Sequence, residues 1–118
     1  QNIRDWLHVD DHIAALIAAG NSLSEFNTFT IGANQEISNL DLTKMICNYL
    51  DHKIPTTTSY FNQVEFVKDR LGHDLRYAID SSHITDTLNF NPSYDLKMGI
   101  EETINWYLGN QDWVKRKI

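Results

Sequence analysis

Val64-Glu65-Phe66-Val67-Lys68-Asp69-Arg70-Leu71-Gly72-His73-Asp74-Leu75-Arg76-Tyr77-Ala78-Ile79-Asp80 decides how this chain reads. From Val64 to Phe66 apolar and polar residues alternate, the pattern of a strand that buries one face. Asp69 to Asp74 then set two acids, an arginine and a histidine around one glycine. Gly72 allows a backbone turn that a side chain would obstruct. Arg70 offers a planar fork of donors suited to phosphate oxygens. His73 adds a donor whose charge changes near neutral pH. Tyr77-Ala78-Ile79 is apolar again, and Asp80 is a good N-cap for a following helix. A polar loop held between apolar elements is a common layout for a binding loop. On spacing alone, a solvated turn stitched by an Arg–Asp pair stays open as the alternative.

Asp69-Arg70-x-Gly72-His73-Asp74-x-Arg76-Tyr77-Ala78-Ile79-Asp80 closely resembles the Asp-Arg-Pro-Gly-His-Asp-x-Arg-Tyr-Ala-Ile-Asp signature of dTDP-glucose 4,6-dehydratases, which are extended short-chain dehydrogenase/reductases. Leu71 stands where that family usually has proline. Three further blocks resemble the family in the same order: Ile3-Arg4-Asp5-Trp6 with Asp11-His12, Thr30-Ile31-Gly32 with Glu36 to Asp41, and Gly99-Ile100 through Trp106-Tyr107-Leu108. The resemblance covers essentially the whole chain but corresponds only to the C-terminal third of such an enzyme. It implies an α/β parent, or α+β for this piece: the substrate-binding part, lacking most of the Rossmann domain. Residues 1–118 then form a nucleotide-sugar-binding fragment, with 1–32 packing on or joining the missing dinucleotide-binding domain. The implied parent is an NAD-dependent lyase acting on dTDP-glucose, with NAD and the catalytic residues outside this chain, which is expected to be inactive alone and to hold no cofactor or metal. The implied substrate-binding residues are Arg4, Asn39, Asp69, Arg70, Leu71, Gly72 and His73. Arg4 and Arg70 would neutralise the diphosphate, Asn39 and His73 would orient it, and Asp69 would position Arg70 or accept from the ligand. Another nucleotide-sugar epimerase or decarboxylase, or a small protein-binding adapter, are the alternatives.

At 118 residues the chain is one domain or less. A net charge of −6 with scattered bases argues against a nucleic-acid or membrane surface. The single Cys47 cannot form an internal disulfide, which fits a cytoplasmic setting. No apolar run approaches the ~20 residues of a membrane span. Gln1 opens directly in strand-like sequence, as a piece of a longer chain would.

The rest of the chain reads in order. Ile3 to His8 is extended. Asp10 is the expected cap of a helix reaching about Ala19, with Ile13, Leu16 and Ile17 on one face and Gly20 beyond it. Arg4 would reach a ligand or pair with Asp5 or Asp10. His8 and His12 are four apart, but a helix start between them spoils a metal-binding register. Glu25 to Gly32 reads as a strand with apolar groups on both faces, as in a sheet covered on both sides. Bared of neighbours, its Phe26–Ile31 edge and the first helix would favour self-association. Asn39 is the expected cap of a helix from about Leu40 to Asp51, striped by Leu42, Met45, Ile46, Tyr49 and Leu50. Ile54-Pro55 stops it.

Tyr49-x-x-x-Lys53 imitates the catalytic pair of short-chain dehydrogenases, but Tyr49 falls on the apolar stripe and is read as core. Asp80 to Leu88 is a short helix with Ile84 and Leu88 inward. Ser82, His83 and Asp86 crowd one turn and are read as a solvated face rather than a triad. The last helix begins near Asp95, with Leu96, Ile100, Ile104, Tyr107 and Leu108 as its stripe and Gly109 closing it. Trp106 and Trp113 are large anchors in search of a surface.

Overall fold

The structure is a computed structural model, which describes residues 2–22 and 28–117. Three residues of strand lie at its centre. β1 (Ile3–Asp5) pairs antiparallel with β2 (Glu36–Ser38), with Arg4 opposite Ile37. On its other edge, Ile3 donates to Leu75 O at 2.7 Å and accepts from Tyr77 N at 3.0 Å, a one-residue parallel bridge to Arg76. Around this ribbon stand α1 (Val9–Asn21), α2 (Asn39–Lys53), α3 (Ser82–Leu88), α4 (Leu96–Gly109) and α5 (Gln111–Lys115), with a 3-10 turn at Tyr60–Gln63. The chain is mixed helix and strand, as the sequence predicts.

The helices form where caps and stripes place them, with local corrections. His8, not Asp10, caps α1: its Nδ1 accepts from Asp10 N. Ser38, not Asn39, caps α2, its hydroxyl taking the Asp41 N–H at 3.0 Å. That makes Asn39 the first helical residue, and the helix runs on to Lys53. At α3 the boundary residue is Ser81, while the Asp80 carboxylate takes the Ser82 N–H. Asp95 caps α4 through Met98 N, and the last helical stretch breaks at Asn110 before α5. Tyr107 faces out of α4 rather than joining its stripe.

Both longer strand expectations fail. Val64 to Phe66 forms no strand, and Phe66 and Val67 are 82% and 86% exposed, so the alternation buries nothing. A strand needs a hydrogen-bonded neighbour, and the backbone of this segment bonds that of β1 only from Leu75 onward. In the Glu25–Gly32 stretch, Glu25 to Asn27 lie outside the described residues, and Thr28 to Gly32 forms no strand. Thr30 instead donates its hydroxyl to Asp80 O.

Two carboxylates replace the missing sheet as organisers. Asp5 accepts from the backbone N–H groups of Ala33, Asn34 and Gln35 at 2.8 to 3.3 Å. Gly32 approaches so closely that a Cβ there would lie 2.4 Å from Asp5 Oδ2. Asp11, only 3% exposed, accepts from Ser93 N at 2.8 Å and Tyr94 N at 3.0 Å, tying α1 to the turn before α4. A buried carboxylate is tolerated because it is so paired.

The core is thin. Ala15, Cys47 and Ile84 are the buried hydrophobic residues among those described, while Val9, Ile13, Leu16 and Ile17 leave an apolar stripe of α1 in solvent. The radius of gyration is 17.2 Å, against about 13–14 Å for a compact domain of this length. Asp11→Ala removes two charge-assisted bonds and leaves two N–H groups unpaired. It should cost about 1.5–3 kcal/mol in urea unfolding; a change under about 0.5 kcal/mol, typical of a plain surface site, would show that Asp11 pins nothing.

Candidate functional site

The 69–74 loop folds back onto β1 through side chains. Its turn is set by Gly72, whose φ of 71° lies in the left-handed region that favours glycine. Leu71 at the tip is 97% exposed. Returning from the tip, His73 places its ring between Asp69 of the same loop and Arg4 of β1. Asp69 Oδ1 lies 2.5 Å from His73 Nδ1, and Arg4 Nη2 lies 2.8 Å from Nε2. Arg4 also donates to Asp74 O at 3.1 Å and to Ile3 O at 2.6 Å. Its guanidinium lies 4.8 Å above the Tyr77 ring, a cation–π contact. Arg4 thus pairs with neither Asp5 nor Asp10.

The two acids of the loop have different work. Asp69 takes a bond from Asn2 Nδ2 at 3.2 Å on its second oxygen, and from the backbone N–H of Arg70 at 2.9 Å. It does not hold the Arg70 guanidinium. The bonds from His73 and then Asn2 keep its carboxyl below the usual aspartate value. Asp74 hydrogen-bonds Tyr77 and pushes that phenol's pKa up, with Arg4 and Arg70 opposing the rise. Arg76 closes the base of the loop with a two-pronged pair to Glu36 of β2 at 2.6 and 2.7 Å.

Of the expected site residues, Arg4, Asp69 and His73 are bonded into one cluster. Asn39 flanks it: its backbone N donates to Asn2 O at 2.9 Å, and its side chain is at the exposed first turn of α2. Arg70 is exposed beside Tyr77. Leu71 and Gly72 shape the loop rather than contribute polar groups. Asn2 and Tyr77 belong to the cluster and carried no signal of that role in the sequence. Asn2 sits at the chain's start outside any motif, and Tyr77 reads as one more apolar residue.

The decoys resolve. The Tyr49 hydroxyl accepts from Asn105 Nδ2 at 2.8 Å between α2 and α4, which fits a core residue. His83 stacks on Phe29 and meets Thr87 rather than Ser82. His8 stacks on Tyr94 at 4.0 Å. An apolar cavity of about 220 Å³ lies apart from the cluster, walled by Trp6, Leu42, Ile46, Tyr94, Ile100 and Ile104.

A mixed α/β piece with an arginine–histidine cluster beside a helix start has a clear kinship. The family model for GDP-mannose 4,6 dehydratase matches residues 1–103, and the chain belongs to that family. Within it, the chain is most usefully set beside dTDP-glucose 4,6-dehydratases. That of Salmonella typhimurium is 44% identical over 112 residues, covering 95% of this chain and 31% of its own length. The dTDP-glucose 4,6-dehydratase of Bacillus anthracis, crystallised in complex with NAD, superposes with a TM-score of 0.80 at 33% identity, over 95% of this chain and 33% of its own. DesIV of Streptomyces venezuelae, a dTDP-glucose 4,6-dehydratase crystallised with NAD bound, gives 0.82 at 30% identity, with the same coverage. The chain therefore spans about a third of the length of these relatives, and the resemblance carried by Asp69 to Asp80 identified the right enzymes.

Because the bonds to Asp69 lower its folded-state pKa, their contribution is fully present above the unfolded aspartate value and is lost as pH falls through the lowered one. In a carbon-13 NMR titration, Asp69 should show a midpoint below the ordinary 3.8, returning toward it in His73→Ala. A midpoint at or above 3.8 in the unaltered chain would contradict the cluster.

Proposed function

We propose that this chain is the nucleotide-sugar-binding portion of an NAD-dependent dTDP-glucose 4,6-dehydratase. The observation that carries the reading is the Arg4 guanidinium, fixed over Tyr77 and against His73, with the unengaged Arg70 and the exposed start of α2 beside it. Two guanidinium forks suit the paired phosphates of a nucleotide sugar. The Asn39 side chain, exposed at the first turn of α2, adds an amide donor beside them. In this reading Arg4 and Arg70 neutralise the diphosphate, His73 and Asn39 orient it, and Leu71 and Gly72 shape the wall. Asp69 acts by holding His73. NAD and the catalytic pair belong to the rest of the enzyme, so this chain alone is inactive.

Calorimetry with dTDP tests the arginine's role. Arg70→Ala should weaken binding by about 1.5–3 kcal/mol, the worth of a charged hydrogen bond. Arg70→Lys should lose less, keeping charge but not the two-pronged contact. Equal affinity of both variants and the unaltered chain would remove Arg70 from the site.

The α1 stripe supports the companion proposal that residues 1–32 pack on a dinucleotide-binding domain. Val9, Ile13, Leu16 and Ile17 share one exposed face of α1, and such faces mark interaction surfaces. Lacking that cover, the chain should self-associate, and Ile13→Lys with Leu16→Lys should return it to a monomer by light scattering. A monodisperse monomer of the unaltered chain at high concentration would show that the stripe is tolerated in water.

A further inference from the structure

The Asp69–His73–Arg4 chain also determines where protons sit, by assignment from hydrogen-bond partners. Asp69 Oδ1 has only lone pairs to offer, so His73 Nδ1, 2.5 Å away, carries the hydrogen. Arg4 has only N–H groups to offer, so Nε2, 2.8 Å from Nη2, presents its lone pair. The free site holds a neutral imidazole. With Nδ1 protonated, Asn2 Nδ2, 2.8 Å from that atom, is a tight donor–donor approach rather than a hydrogen bond, and the Asn2 amide donates to Asp69 instead. The lowered pKa of Asp69 agrees with a carboxylate that stays ionised here.

An arriving diphosphate oxygen, like Asp69, has only lone pairs. It bonds Nε2 only once that atom bears a hydrogen. Moving the hydrogen from Nδ1 to Nε2 would turn the Nδ1 lone pair against the Asp69 carboxylate at hydrogen-bond distance. Adding a second hydrogen places an imidazolium between carboxylate and diphosphate, with both N–H groups satisfied. The geometry points to the second course: this cluster takes up an anion together with one solvent proton, which bonds to His73 Nε2 as Arg4 leaves that atom for the anion. The inference rests on the diphosphate reading above. The donor of the proton is the buffer acid, left as its conjugate base, and no other bond is made or broken. The charged and titratable groups around the ring are Arg4 of β1, Asp69, Arg70 and Asp74 of the loop, and Tyr77 beneath Arg4. Asp69 and Asn2 are thus positioning residues, acting through His73.

The test is calorimetry of dTDP-glucose with this chain near pH 8, in buffers of differing ionisation enthalpy. This probe's diphosphate is esterified at both ends and does not itself titrate near neutrality. The heat should vary with buffer by close to one proton taken up per ligand. Affinity should fall as pH is raised, by up to about tenfold per pH unit for one proton taken up. His73→Gln should abolish the buffer dependence, and Asp69→Asn should reduce it. Measurable binding with buffer-independent heat would overturn the proton step alone; it would mean that the ring changes tautomer, with Asn2 donating to Nδ1. Uptake that persists in His73→Gln would assign the proton to another group and overturn it equally. No binding of dTDP-glucose would overturn the diphosphate reading and this inference together.

Discussion

Three residues of strand carry contacts to every part of the site. Ile3 bonds the returning end of the 69–80 segment through its backbone. Arg4 reaches across to His73 and Tyr77. Asp5 gathers the backbone of residues 33–35, which brings β2 and the start of α2 alongside. A strand pair this short has little stability of its own. It is held by the side chains that leave it, so the same bonds that keep the ribbon together also assemble the Arg4–His73–Asp69 cluster. Stability and site are therefore coupled here, and a substitution in β1 cannot be read as affecting one alone.

How much of this was legible in the sequence divides along physical lines. Helices were legible because their causes are local: Asp95 caps α4, apolar residues recur along one face of α2, and Ile54-Pro55 ends it. The start of α2 slipped by one residue, with Ser38 capping it in place of Asn39, and that of α1 by two, with His8 in place of Asp10. Strands were less legible: β1 falls within the extended Ile3–His8 segment, but alternation describes what a strand does only once paired. Val64 to Phe66 has the pattern and no partner, while β1 and β2 pair over only three residues each and gave a weak pattern.

The site divides in the same way. Arg4, Asp69 and His73 were named through resemblance, since composition and spacing left a solvated turn open. The bond from Arg4 to His73 was not readable, because it joins residues about seventy apart in sequence. For the same reason Asn2 and Tyr77 went unremarked. The Arg70–Asp69 pair suggested by adjacency does not form: Asp69 uses its oxygens on His73, Asn2 and the Arg70 backbone. In the proposed site this leaves the Arg70 guanidinium with no internal salt bridge to compete with a ligand.

The central claim is that Arg4, His73 and Arg70 together receive a diphosphate. A crystal structure of this chain with dTDP-glucose tests it most directly. The account predicts diphosphate oxygens within hydrogen-bond distance of Arg4, Arg70 and His73 Nε2, with Arg4 withdrawn from the ring and Asp69 still on Nδ1. A nucleotide bound elsewhere on the chain, with Arg4 still resting against His73 Nε2, would contradict it.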